Sequence, residues 1–284
     1  MSRIEKALEK AVKLRDGKAA DAPPEKAPAA RPALTRERVF DVQTLAVENP
    51  YIITLSDPAS PITEEYRKLK SMVVKLTKLG GFRNTIMITS SLGWEGKSVT
   101  AMNFAITLAQ EYDHTVLLID ADLRKPSLHT YFGIAPEVGL SDCLLDEVDM
   151  GDALIKTGIG KLTLLPAGKP VKNPVELLSS DRMREFVSEM KHRYADRYII
   201  IDTPPVLAFA ETHAISTLVD GVIFVVKEGA ASLQHIGNAL DILKLSKIFG
   251  VVYNDAGVID LNSRYHSGHY YGGYKPLPEN VART

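Results

Sequence analysis

Between residues 51 and 256 the apolar residues of this 284-residue chain follow two alternating rhythms. In the first, short runs of Ile, Val and Leu stand almost unbroken, as in Val116-Leu-Leu-Ile119, Ile199-Ile-Ile201 and Val222-Ile-Phe-Val-Val226. Such runs predict strands over 84–90, 115–120, 161–166, 197–202, 221–227 and 248–254. In the second, apolar positions recur every three or four residues among polar ones, which predicts helices over 97–111, 181–194 and 232–245. Another helix is predicted after Pro61, with Ile62, Leu69, Met72, Val73 and Leu76 on one face. Buried strands separated by amphipathic helices imply a mostly parallel sheet with helices on both faces. The expectation is one α/β domain over 51–256.

Both ends break the rhythm. Residues 1–16 place Ile4, Leu8, Ala11 and Leu14 at helical spacing, which predicts a short amphipathic helix. Residues 17–50 are rich in Ala and Pro and predict a semi-extended linker. From residue 257 onward Gly, Tyr, His and Pro dominate without any apolar period, which predicts a flexible tail.

Composition narrows the classes. The net charge of −1 offers no global field for nucleic acid or acidic lipid. Cys143 is the only cysteine, so no intrachain disulfide forms and a reducing, cytoplasmic setting is expected. The first residues lack the apolar run of a signal peptide, and no apolar stretch approaches the ~20 residues that span a bilayer.

The first predicted strand runs into Ser90-Ser-Leu-Gly-Trp-Glu-Gly-Lys-Ser98 and then into a helix, the context of a P-loop. In such a loop the backbone amides of Gly93, Trp94, Glu95, Gly96, Lys97, Ser98 and Val99 surround phosphate, and the helix N-terminus adds partial positive charge. Lys97 reaches the β- and γ-phosphates of ATP, and the Ser98 hydroxyl binds Mg2+. Two positions depart from the usual pattern: Ser91 stands where glycine is expected, and Trp94 where a small residue is. Trp94 fits only with its side chain outward and its backbone unstrained.

Two further predicted strands end in acids, Asp120 with Asp122 two residues on, and Asp202. Ligands of open parallel sheets bind at the carboxyl ends of the strands, so these three aspartates are expected beside the P-loop. Asp202 suits a metal-holding role, and Asp120 and Asp122 suit orienting the metal and accepting a proton. The plainer alternative is that strand-end aspartates cap the turns that follow them.

The tail holds Tyr265, Tyr270, Tyr271 and Tyr274, four of the chain's 11 tyrosines. A phenol is a phosphoryl acceptor, and the interspersed glycines let the backbone enter an active site. Stacking on nucleic acid would need interleaved basic residues, and only Arg264 and Lys275 are near.

Together these residues resemble the bacterial tyrosine kinases of capsule and exopolysaccharide gene clusters. The resemblance covers roughly residues 51–274 and rests on Gly96-Lys97-Ser98, Val116-Leu-Leu-Ile-Asp-Ala-Asp-Leu-Arg-Lys-Pro126, Ile199-Ile-Ile-Asp-Thr-Pro-Pro205 and the tyrosine cluster. The N-terminal segment also resembles the cytoplasmic autokinases of exosortase-type loci. The resemblance implies ATP and Mg2+ as cofactors, Lys97, Asp120, Asp122 and Asp202 as catalytic residues, and Ser98, Asp120 and Asp202 around the metal. It implies the tail tyrosines as acceptors in a ring of subunits. The family's ring-forming Glu-x-x-Arg-x-x-Arg pattern corresponds to Glu64, Arg67 and Lys70, where lysine keeps the charge but not the fork. A membrane-embedded, co-polymerase-type activator is the implied partner. Competing readings are a partitioning or division-site ATPase, whose signature lysine is replaced here by Leu92, and an ATP-binding scaffold.

Overall fold

The computed structural model describes residues 49–79, 81–111, 113–145, 148–193 and 196–257. The expected helix 1–16, nearly all of the linker and residues 258–284 with the four tail tyrosines lie outside them. The chain begins with α1 (Ile53–Ser56), α2 (Pro61–Lys78), β1 (Thr85–Ser90), α3 (Lys97–Ala109) and β2 (Thr115–Asp120). It continues through α4 (Leu128–Tyr131), α5 (Leu140–Leu144), α6 (Met150–Ala153), β3 (Ile155–Lys156), β4 (Leu162–Leu165) and α7 (Pro174–Leu178). It closes with α8 (Asp181–Arg193), β5 (Arg197–Asp202), α9 (Ala210–Ser216), β6 (Gly221–Lys227), α10 (Leu233–Ile242) and β7 (Ile248–Asn254).

The strands form one seven-stranded sheet in the order β3-β4-β2-β5-β1-β6-β7. Every pairing is parallel except that of β3 with β4. That two-residue edge strand carries no readable period and was not predicted. The predicted strands agree with the observed ones to within about a residue at each end.

Side chains alternate across the strands and divide the core in two. Ile86, Ile88, Val116, Leu118, Ile200, Ile223 and Val225 face α2, α3 and α4. Met87, Leu117, Ile119, Ile199, Ile201, Val222 and Phe224 face α5 to α10. Each fully buried aliphatic side chain contributes on the order of 2 kcal/mol through burial. Asn103 of α3 binds the segment before α2, donating to the Tyr51 carbonyl at 2.7 Å and accepting from the Thr54 amide and hydroxyl.

One predicted face needs correction. Ser60 caps α2, and the residues it turns inward are Thr63, Val73 and Thr77, with Tyr66, Leu69, Val74 and Leu76 partly buried. Ile62 and Met72 are exposed instead. Apolarity alone misplaced the stripe by about one residue, because two threonines belong to its buried side.

Candidate active site

Parallel strands bring the ends of β1, β2, β5 and β6 to one edge of the sheet. The turn after β1 is held from below by Glu95, whose side chain is fully buried. Its carboxylate accepts the Leu92 amide at 2.6 Å and the Lys227 amide, at the end of β6, at 3.4 Å. Asn254, the last residue of β7, donates to the Glu95 carbonyl at 2.9 Å. The same amide group occupies the place a Cβ on Gly96 would take, 2.1 Å away, and Gly96 has φ +88°. Glycine is therefore required at 96 twice, by backbone conformation and by space. No side chain caps α3, which leaves its first amides open to an anion.

Trp94 points outward, as its size demanded, with 86% of its surface exposed. The expectation of an unstrained backbone is not met: it is left-handed, with φ 67°, a conformation that costs a non-glycine residue about 1 kcal/mol. The Lys125 ammonium lies over the indole, 4.9 Å from the ring centroid.

The three predicted acids do converge, and the structure gives each a different environment. Asp120 and Asp202 are direct neighbours in register on β2 and β5, and both are fully buried. Asp120 accepts the amides of Asp122 at 3.2 Å, Ser127 at 3.0 Å and Leu128 at 3.1 Å, so it fastens the turn that leads into α4. Asp122 accepts the Lys125 amide at 3.0 Å with one oxygen and the Lys97 ammonium at 3.1 Å with the other. Neither oxygen of Asp202 has a hydrogen-bond partner of good geometry.

The electrostatics follow from burial. Burial and the repulsion of Asp202 push Asp120 up to about 7, against the relief given by its backbone donors. Burial also pushes Asp202 up to about 6, although Lys97, the nearby Ser98 hydroxyl and the Thr203 amide ease its charge. For Lys97, burial alone would lower the pKa, but the charges of Asp202, Asp122 and Asp120 outweigh it and raise the value. Lys97 also lies 3.3 Å from the Ser98 hydroxyl. A buried, unpaired carboxylate beside a serine hydroxyl is the oxygen donor set of a hard divalent cation, so these residues fit magnesium.

Asn254 and the Arg124–Glu211 pair escaped sequence reasoning, as did the role of the Glu95 side chain, whose residue was expected only to offer its amide to phosphate. The Glu95 carboxylate ties the loop to the end of β6, Asn254 braces it from the end of β7, and Arg124 pairs with Glu211 at 2.5 Å. Glu211 is fully buried with its second oxygen unpaired, and Arg124 also lies over Phe209, 4.6 Å from the centroid. This pair joins the loop after β2 to the helix after β5. The predicted interface triplet lies on α2. Glu64 and Arg67 pair with each other at 3.0 Å, and Lys70 pairs with Glu111 at 3.1 Å.

A mostly parallel sheet whose first strand feeds a glycine–lysine–serine turn, with acids at the neighbouring strand tips, defines a P-loop nucleotide-binding protein. Residues 83–248 match the AAA domain family model. The tyrosine-protein kinase YwqD of Bacillus subtilis (strain 168) is 34% identical over 223 residues, covering 78% of this chain and 91% of that protein. The tyrosine-protein kinase CpsD of Streptococcus agalactiae is 31% identical over 195 residues, covering 68% of this chain and 83% of that one. Among solved structures, the kinase domain of Escherichia coli tyrosine kinase ETK superposes with a TM-score of 0.67 at 28% identity, covering 78% of this chain and 84% of that domain. The chain belongs to the bacterial tyrosine-protein kinase family. No helix among the described residues is long and apolar enough to cross a membrane.

Proposed function

We propose that this protein transfers the γ-phosphate of ATP to Tyr265, Tyr270, Tyr271 and Tyr274 of its own C-terminal segment. The transfer occurs between copies in a homo-oligomer and regulates synthesis or export of a capsule or exopolysaccharide. The observation that carries the chemistry is the unpaired, buried Asp202 beside Lys97 and Ser98, under the uncapped start of α3.

Lys97 leaves Asp122 for the β- and γ-phosphates when nucleotide arrives. Ser98 and Asp202 would hold Mg2+, with Asp120 next to Asp202 in register. Magnesium, when bound, neutralises charge on the phosphates. The phenol oxygen attacks the γ-phosphorus in line, the bond to the β-phosphate oxygen breaks, and ADP leaves. The phenolic proton passes to Asp122, the only one of the three acids with any exposure, 5%. Positioning and charge stabilisation supply most of the rate.

Exposed Glu64 and Arg67 with Lys70 on α2 form the contact between subunits, and a membrane-embedded, co-polymerase-type protein activates the kinase at the membrane's inner face. Tyr198 is fully buried and is no acceptor in the folded protein. Incubation with ATP and Mg2+ followed by phosphopeptide mapping tests the reading. It predicts phosphotyrosine at 265–274. Release of free phosphate without phosphotyrosine would make the protein an ATPase switch, and labelling confined to Tyr131 would remove the tail from the account.

A further inference from the structure

Trp94 is placed where a glycine would be easier. Among the described residues, it and Asp255 are the non-glycine positions with positive φ, and aspartate tolerates that conformation far better than tryptophan. The indole is also 86% exposed, so it recovers almost nothing by burial. A strained, solvent-facing aromatic on the phosphate loop points to a binding role.

Its position says what it binds. Lys125, which lies over the ring, donates its amide to Asp122, and Asp122 holds the Lys97 ammonium at 3.1 Å. One short chain of contacts therefore links the indole to the lysine of the phosphate site. Trp94 is therefore an exposed ring on the phosphate loop itself, two contacts from the lysine of that loop.

We infer that Trp94, with Lys125 across it, is the docking platform for the acceptor tyrosine and makes the site selective for aromatic acceptors. The inference rests on the proposed tail phosphorylation. The occupant is the segment 265–274 of a second copy of this chain. It carries four phenols and no acidic residue to compete for Lys125. Lys227, at the end of β6, bonds Glu95, the neighbour of Trp94, and the adjacent Glu228 accepts the Gly257 amide. The chain thus leaves the sheet at the same edge as the platform. Tyr265 follows Gly257 by eight residues, so up to about 26 Å of chain separates it from that edge. Phenol on indole, edge or offset, is a favourable aromatic pair.

The test uses the full chain with Tyr265, Tyr270, Tyr271 and Tyr274 changed to Ala, which frees the platform, and a synthetic peptide of residues 262–277 as acceptor. Trp94→Gly relieves the backbone, so any loss cannot come from strain. It should raise the peptide KM roughly tenfold, well beyond any change in the KM for ATP, and Trp94→Phe should restore most of the difference. Peptide binding should also shift the emission of Trp94, the chain's one tryptophan. An unchanged peptide KM in Trp94→Gly overturns the inference, as does an equal or larger rise in the KM for ATP, which would assign the ring to the nucleotide. If the parent with Trp94 intact leaves the peptide unlabelled, the proposed acceptor itself is wrong.

Discussion

The tips of β2 and β5 carry the same residue, in register, at the same depth, and they have been given opposite tasks. Asp120 is satisfied by three backbone amides and holds the turn into α4 in place. Asp202 is as deeply buried and accepts no hydrogen bond of good geometry, its charge eased only by the nearby Lys97, Ser98 and Thr203. A buried carboxylate without donors is destabilising by itself. It persists where a ligand completes it. The contrast separates the acid that shapes the site from the acid that awaits the metal, a division that strand position alone does not make.

The largest expected effect is at the β5 tip. Asp202→Asn should lower phosphotyrosine formation by roughly 10²–10³-fold. The same change should raise the Tm of the nucleotide-free protein at pH 7.5 by a few degrees, because it removes a buried charge that Lys97 offsets only in part. At the β2 tip the order reverses. Asp120→Ala strands three amides and should destabilise the fold by about 2 kcal/mol, seen in a denaturant titration.

The pH dependence of stability sharpens the same contrast. Folded values of about 7 and about 6 for Asp120 and Asp202 lie above their ordinary 3.8. The folded chain therefore binds protons more tightly than the unfolded one, and stability should fall as pH rises from about 4 to 7 and then level off. Magnesium with nucleotide should flatten that slope, as should Asp202→Asn, when Tm is followed across the range. The smallest effect belongs to the brace between the tips. Glu211→Gln weakens its hold on Arg124 and should lower kcat/KM about fivefold with little change in Tm.

Local chemistry made much of this molecule readable. Unbroken apolar runs located six strands, and Gly96-Lys97-Ser98 located the loop, because period and glycine content are properties of neighbours in sequence. The alternative of turn-capping was also readable for strand-end acids, and it describes Asp120 as observed. What stayed hidden is what the fold brings together. Asn254 meets Glu95 across 159 positions and Glu211 meets Arg124 across 87, and no short-range pattern encodes either. The buried stripe of α2 was shifted because Thr63 and Thr77 look polar in sequence yet are inward in the structure. β3 is too short to carry a period.

The division of labour between the two tips is tested most directly by calorimetric titration of ADP with and without Mg2+ into the wild-type protein and Asp202→Asn. Magnesium should strengthen ADP binding to the wild type and do so no longer in Asp202→Asn, with the variant still folded. An unchanged magnesium effect in Asp202→Asn would contradict the assignment of that carboxylate to the metal.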